Sequence, residues 1–443
     1  MKNIIKYPLM VSASLVAMTS TANAAVDAEA AFVFNTLLFL IGGFLVMFMA
    51  AGFSMLEAGM VRSKNVATIC TKNIALYALS GIMFWLVGYE LMYSGVNEGF
   101  GSGFFGRLDV FAPDDSAVAA GDYSANYGAY ADWFFQMVFC ATASSIVSGT
   151  LAERIKLWPF LIFSGVLTAI IYPVTGSWVW GGGWLAELGF TDFAGSTLVH
   201  SVGGWAALVG ALFLGPRLGK YRTVNGKTSV SPFPGSSLPI ATLGTFILWF
   251  GWFGFNGASQ LALGSGADAI AIAKIFANTN MAAAAGTIVA LGLTQLLYKK
   301  VDLTMVLNGA LAGLVSITAD PLSPSIAQSI LIGSVGAVIV VFAVPLLDKL
   351  KIDDVVGAIP VHLLCGIWGT LIVAMSNTEA TFIHQLIGVI AIGAFVSIAS
   401  AFVWATLKAT IGIRVSEEDE KNGLDQTELG LKAYPEFSHI EQL

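Results

Sequence analysis

Eleven apolar stretches, each about long enough to cross a hydrocarbon core, follow one another along this chain. They fall near 31–55, 65–94, 130–152, 157–180, 196–215, 238–259, 275–298, 303–320, 326–347, 355–376 and 384–411. A core about 30 Å thick takes roughly 20 helical residues. Only helices satisfy every backbone polar group within one open segment there. Of the 443 residues 56% are hydrophobic and 11% charged, where a soluble domain carries about 25% charge. The pattern predicts an all-α polytopic membrane protein with 11 transmembrane helices. The basic residues are scattered among loops, so the chain offers no nucleic-acid surface.

The first 24 residues stand apart. Lys2 and Lys6 precede an apolar run over 8–18, and Ala22-Asn23-Ala24 forms a small-x-small site. This matches a secretory signal peptide cleaved after Ala24. A retained first helix is the other reading, but the run is short for a span. Cleavage puts the N-terminus outside, in a bacterium with a periplasm. The loops agree. Arg62, Lys64, Arg154, Lys156, Arg217, Lys220, Arg222, Lys227, Lys299, Lys300, Lys349 and Lys351 fall on one side. The other side has Arg107 and Lys274 among Asp109, Asp114, Asp115, Asp122, Glu187 and Asp192. The asymmetry predicts a multi-pass inner-membrane protein with a cytoplasmic C-terminus. The loop over 95–128 reads as a periplasmic cap. The polar tail over 412–443 is either a solvated end or, more sharply, a regulatory cytoplasmic segment.

Two short runs match one another: Val199-His200-Ser201-Val202-Gly203-Gly204-Trp205 and Val361-His362-Leu363-Leu364-Cys365-Gly366-Ile367-Trp368. Each histidine lies inside an apolar span, where an ionisable group is functional by default. Five spans end in the His200 helix and five more in the His362 helix, so the second set inserts inverted. The expected layout is a first repeat over 31–215 and a second over 238–376 within a membrane domain over 25–411. The eleventh helix, 384–411, packs outside. The two histidine helices then run antiparallel and meet near the bilayer centre. Burial favours neutral imidazoles, each with one donor and one acceptor nitrogen. Facing one another they can share a proton; two core histidines bonded to carbonyls are the bland alternative. Cys365 stands three positions from His362, but no Asp or Glu stands three or four positions from either histidine, which argues against a complete metal site. Cys70, Cys140 and Cys365 lie singly in apolar segments and read as small buried hydrophobes.

Aromatic residues cluster toward one end of the spans, in 133–139, 178–180 and 249–255. Interfacial belts explain most such residues, and a cluster at one mouth can also hold a small cation over ring faces. Asp192 precedes the His200 helix, either as a cap for its free N–H groups or as a charge drawing a cation to the entrance.

With these segments in view, the chain resembles the ammonium transporter family (Amt/Mep/Rh), nearer the bacterial Amt branch. The resemblance runs from about Ala31 to Tyr434. It rests on Glu57-Ala58-Gly59-Met60-Val61-Arg62-Ser63-Lys64-Asn65, Ala152-Glu153-Arg154, Asp192-Phe193-Ala194-Gly195 before Val199-His200, the run from Gly251 to Asn256, and Val361-His362. The resemblance implies roles. Phe139, Trp180 and Ser259 match the family's ammonium recruitment site, and Phe139 with Phe255 its stacked gate. His200 and His362 match its twin histidines, and Asp192 its supporting aspartate. It also implies a homotrimer with one pore per subunit, and a PII signalling protein as a cytoplasmic partner. It implies no cofactor, no metal and no enzymatic activity. The chain departs at Ser196, where a second glycine is usual, and at Leu429 and Leu431, where the family often has His-Gly-Glu.

The implied mechanism is uptake. Ammonium is gathered by the aromatic mouth and gives up a proton near the Phe139/Phe255 rings. Ammonia then crosses an apolar lumen, and the proton follows by a route involving the histidines. Potassium has no proton to lose and is refused. An electroneutral NH3 or CO2 channel of Rh type and an ammonium sensor are the competing readings.

Overall fold

The computed structural model describes residues 26–99, 101–224 and 227–436. The signal-peptide segment 1–24 and residues 437–443 of the tail lie outside them. Hydrophobic periodicity gives way to near-continuous apolar sequence, and the described chain folds accordingly into long helices. They are α1 (Ala28–Met60), α2 (Ser63–Tyr93), α3 (Ala129–Thr150), α4 (Leu157–Leu188), α5 (Ser196–Leu214), α6 (Leu238–Gln260), α7 (Gly266–Tyr298), α8 (Leu303–Ile317), α9 (Ile326–Lys349), α10 (Ile359–Ser376) and α11 (Phe382–Thr410). Nine of these, among the described residues, are long and apolar enough to cross a membrane. The other two differ for visible reasons. Helix α3 carries Asp132, Gln136 and a row of Ser and Thr, and α8 has 15 residues. A two-stranded antiparallel ribbon, β1 (Tyr221–Val224) and β2 (Lys227–Val230), pairs Tyr221 with Val230 between α5 and α6.

Several spans that read as single helices are interrupted. Helix α2 holds a π turn at Phe84–Gly88, α4 one at Leu167–Ile171, and α4 also turns over 180–183. Helices α5 and α10 open with π turns at Ser196–Ser201 and Ile359–Leu364, and each of these contains its histidine. A π turn adds a residue to the ring, a local irregularity that recurs at functional sites. Hydropathy is blind to it, because the composition does not change.

Helices α5 and α10 pass one another in opposite directions. Thr197 meets Thr370, the two hydroxyl oxygens 2.6 Å apart, while Ser201 Oγ reaches Leu363 O at 3.4 Å. Gly204 and Gly366, each four residues past a histidine, make this contact possible. A Cβ on Gly204 would stand 2.6 Å from the Leu363 Cβ, and one on Gly366 would stand 2.3 Å from the Ser196 carbonyl oxygen. Small residues let helix backbones meet.

The arginine-rich end is held by buried charge. Arg217 donates to both oxygens of Asp353, Nε to Oδ2 at 2.8 Å and Nη2 to Oδ1 at 2.9 Å, and from Nη1 to Glu153 Oε1 at 3.1 Å. Arg62 pairs with the same Glu153, and the guanidinium groups of Arg62 and Arg217 both lie over the Phe233 ring. Arg154, fully buried, donates to the carbonyls of Thr150, Ala152, Gly215 and Asp353 at 2.7–3.0 Å. These bonds satisfy charges whose desolvation would otherwise cost several kcal/mol each. Burial alone would raise the Asp353 carboxyl. Its hydrogen bonds to Arg217, with the charges of Arg154 and Arg217, outweigh burial and hold it well below the usual carboxylate range.

The tail is docked on this end through two short helices, α12 (Glu417–Asn422) and α13 (Leu424–Leu429). Asp425 accepts from the backbone N–H of Ala67 and Thr68 at 3.0 and 2.8 Å. Glu428 accepts from that of Leu157 at 3.1 Å. The chain's own capping positions there, Asn65 and Lys156, make no side-chain cap. The tail therefore supplies carboxylates to the open N-terminal turns of α2 and α4, where negative charge is favoured. Of the two readings of the tail, the structure excludes a freely solvated end for its described part.

Gly204→Ala is expected to destabilise the protein by about 1–3 kcal/mol through overpacking. Gly292→Ala, where a new Cβ meets nothing within 4 Å, is expected to be neutral or slightly stabilising. Thermal unfolding midpoints of the two variants in detergent make the comparison. The depressed Asp353 gives a second expectation. Once the pH falls below about 4, the unfolded state takes up a proton there that the folded state refuses. Stability contributed by this carboxylate is present above that pH and lost below it, so Asp353→Asn should flatten the acid limb of a pH–midpoint curve.

Candidate functional site

The histidine pair lies at the centre of the fold. His200 is fully buried and His362 nearly so. Their Nδ1 atoms are 3.2 Å apart and the ring centroids 5.2 Å apart at 24°. This contact constrains the chemistry. With both rings neutral, one Nδ1 carries hydrogen and the other accepts it. The ring that donates at Nδ1 then keeps an accepting Nε2, and the other keeps a donating Nε2–H. The pair thus presents one donor and one acceptor beyond itself. Nε2 of His200 has no hydrogen-bond partner within the protein.

Aromatic rings line the approach. His200 stacks on Trp252 and Phe255, with centroids 4.9 and 5.3 Å apart. Trp252 is held by its indole N–H, which donates to Thr318 Oγ1 at 2.8 Å. Phe255 packs on Phe139 with centroids 4.0 Å apart. Beyond Phe139 a cavity of about 320 Å³ opens, and Phe139, Trp180 and Ser259 all line it. Trp180 stands edge-on to Phe139 at 6.2 Å, and its N–H donates to the Asp192 carbonyl at 2.8 Å. Ser259 Oγ donates to the Phe255 carbonyl at 2.8 Å, which leaves its lone pairs for a ligand.

Asp192 does not line this cavity. Oδ1 accepts from the N–H of Gly195 and Ser196 at 3.0 and 2.9 Å, and Oδ2 from those of Thr197 and Leu198, both at 2.8 Å. These are the free amides at the start of α5. Of the two roles open to it, the geometry is that of a cap: it fixes the π turn that carries His200 and, through its carbonyl, the Trp180 ring.

The structure brings Phe139, Trp180 and Ser259 to one cavity and packs Phe255 against Phe139; sequence reasoning passed over their neighbours. Phe135 lies on the same wall, 4.7 Å from Phe139. Asp132, Gln136, Tyr89, Tyr93 and Tyr127 also line the cavity, and Tyr89 donates to Asp132 Oδ2 at 2.5 Å. A signal existed. Asp132, Phe135, Gln136 and Phe139 recur at i, i+3, i+4 and i+7, which is one helix face.

Fold and site together define a polytopic helical membrane protein with an aromatic cavity leading to a buried histidine pair. The model of one family, the Ammonium Transporter Family, matches residues 37–434. Ammonium transporter Amt2 of Archaeoglobus fulgidus is 41% identical over 430 residues, covering 90% of this chain and 87% of that one. Ammonium transporter Amt1 of Haloferax mediterranei is 36% identical over 426 residues, covering 91% and 80%. A solved structure described as a sensor Amt protein superposes with a TM-score of 0.82 at 35% identity, covering 91% of this chain and all of that one. The chain belongs to the ammonium transporter family.

Asp192→Ala is expected to cost about 2 kcal/mol, the upper end for losing a cap. The same change should loosen the His200 turn, read as faster amide exchange over 195–200 while exchange in α7 is unchanged.

Proposed function

We propose that this protein carries ammonium across the bacterial inner membrane, as NH4⁺ recruited outside, NH3 in the pore and a proton that travels separately. One observation carries the reading: cavity, ring pair and histidine pair lie in series, joined by the Phe139–Phe255 contact at 4.0 Å and the Nδ1···Nδ1 contact at 3.2 Å. Phe139, Trp180 and Ser259 hold the cation by ring faces and a hydroxyl. Phe139 and Phe255 then close the way to an ion, because a bare charge is costly in apolar surroundings. Ammonium escapes this cost by leaving its proton behind. Potassium, with the same charge and nearly the same size, has none to leave. His200 and His362 keep the lumen passable to ammonia and relay the proton. The relatives' names support the substrate; the reading is of transport and involves no enzymatic reaction.

The same reading sets the arrangement in the membrane. All eleven helices span it, as an inverted pair of five-helix repeats (31–215 and 238–376) with 384–411 outside. The antiparallel passage of α5 and α10 supports this, as does lipid-ready surface on α11, where Ile398 and Phe402 are more than 70% exposed. The signal peptide 1–24 is removed, the aromatic end faces the periplasm, and the arginine-rich end with the tail faces the cytoplasm. Three copies assemble with one pore each, and a PII protein docks on the cytoplasmic face; family resemblance supports both.

A second reading, an ammonium sensor, has in its favour the solved relative described as a sensor and a tail strapped to the membrane domain.

Current and ammonia flux in proteoliposomes test the proposal. Wild type should carry an ammonium current and exclude potassium. The double variant His200→Ala/His362→Ala should lose current by about 100-fold, the usual scale for a removed proton-transfer group. Current that persists undiminished, with potassium still excluded, overturns the relay. Ammonia flux without current in wild type favours the electroneutral channel, and absence of both favours the sensor.

A further inference from the structure

Glu57 and Lys72 are buried ionisable side chains of the helices that the pathway leaves unused. Each is 1% exposed, Glu57 in the last turn of α1 and Lys72 inside α2. Buried charge in a span is costly and points to function.

Their surroundings are specific. Ser148 of α3 joins them: its hydroxyl donates to Glu57 Oε2 at 2.7 Å, and its carbonyl accepts from Lys72 Nζ at 2.9 Å. Lys72 also lies over the Phe160 ring, 4.7 Å from its centroid. Asn73 and Cys70 of α2 are further polar neighbours. The second carboxylate oxygen, Oε1, has no partner at hydrogen-bonding geometry. Glu57 lines a small cavity, and His362 lines the same one, with Phe53, Ser145, Asn308 and Val361 among its walls. Its volume of about 10 Å³ is room for roughly one water-sized molecule. Asn308 and Val356 also line the next cavity, of about 130 Å³, which reaches Asp348, Asp354 and Lys220 at the arginine-rich end. An oxygen without a partner at hydrogen-bonding geometry and a cavity shared with the histidine thus occur at the same side chain.

We propose that Glu57 is the inner proton station of the pore, receiving the proton that leaves the histidine pair and handing it to ammonia on the cytoplasmic side. The step rests on the transport reading above. The pair first takes up the proton that ammonium leaves, at its accepting nitrogen. An N–H bond of this protonated pair then breaks as Oε1–H forms, the pair returns to neutral and the carboxylate becomes a neutral acid. The O–H bond then breaks as an N–H bond forms on ammonia. Ammonium leaves, and the carboxylate is restored beside Lys72. No other reactant is required. Lys72 is a positioning residue: its positive charge keeps an ionised carboxylate tenable in the span and ready for the next proton.

Current and ammonia flux measured in the same proteoliposomes decide the matter. Because Glu57→Gln alone leaves Lys72 buried without its counter-charge, the informative variant is Glu57→Gln/Lys72→Met. Its ratio of current to ammonia flux should fall at least about tenfold. Glu57→Asp, which keeps a carboxylate, should retain more of the ratio. A double variant with the wild-type ratio overturns the proposal. So does a loss of current and flux in equal proportion, which marks a structural pair. Wild-type vesicles that pass ammonia without current overturn instead the electrogenic reading on which the proposal rests.

Discussion

The hydrogen bond between the Nδ1 atoms of His200 and His362 is the contact around which this fold is arranged. Two imidazoles deep in an apolar bundle have few partners, and an unsatisfied polar group there is expensive. Each ring largely solves the problem of the other, at 3.2 Å. That solution is demanding, because both rings must arrive from separate helices at one point with the correct edges turned together.

Three devices meet the demand. Gly204 and Gly366 remove the side chains that would hold α5 and α10 apart. The π turns at Ser196–Ser201 and Ile359–Leu364 rotate each histidine relative to the helix that follows. Asp192 ties down the first of these turns with four backbone bonds, while Trp252 and Phe255 flank the His200 ring. Rigidity comes from packing and satisfied backbone.

Much of this was legible in the sequence, because its strongest signals are one-dimensional. Apolar length marked the helices, the repeated Val-His runs marked the pair, and the glycines at four residues' distance marked the close approach. Aromatic runs near 139, 180 and 255 marked rings that line the cavity or pack against its wall. Other features were not legible, each for a physical reason. A π turn changes ring size without changing composition, so α5 and α10 read as uniform. Helix α7 begins at Gly266, well before the expected 275, because Ser265 caps it by accepting from the Asp268 N–H at 3.1 Å. The partnership of Glu57 and Lys72 joins two helices through a third, and sequence spacing encodes no such triangle. Glu57 was visible only as part of a family marker. The tail resisted reading because its acidic run resembles a solvated end, whereas Glu420, Asp425 and Glu428 each accept from the backbone of a distant segment.

Those tail contacts bear on the order in which the molecule is made. Ala67, whose amide Asp425 accepts, precedes it by 358 residues, and Leu157 precedes Glu428 by 271. Helices α2 and α4 are therefore made early with their N-terminal turns unfinished, and wait for carboxylates that follow hundreds of residues later. Each missing cap costs about 1 kcal/mol, enough to let an end fray but not to expel the helix. The tail thus supplies a late closing step, completing helices made hundreds of residues before. A nascent chain stalled short of Asp425 would be a membrane protein in outline, with its arginine-rich end still soft.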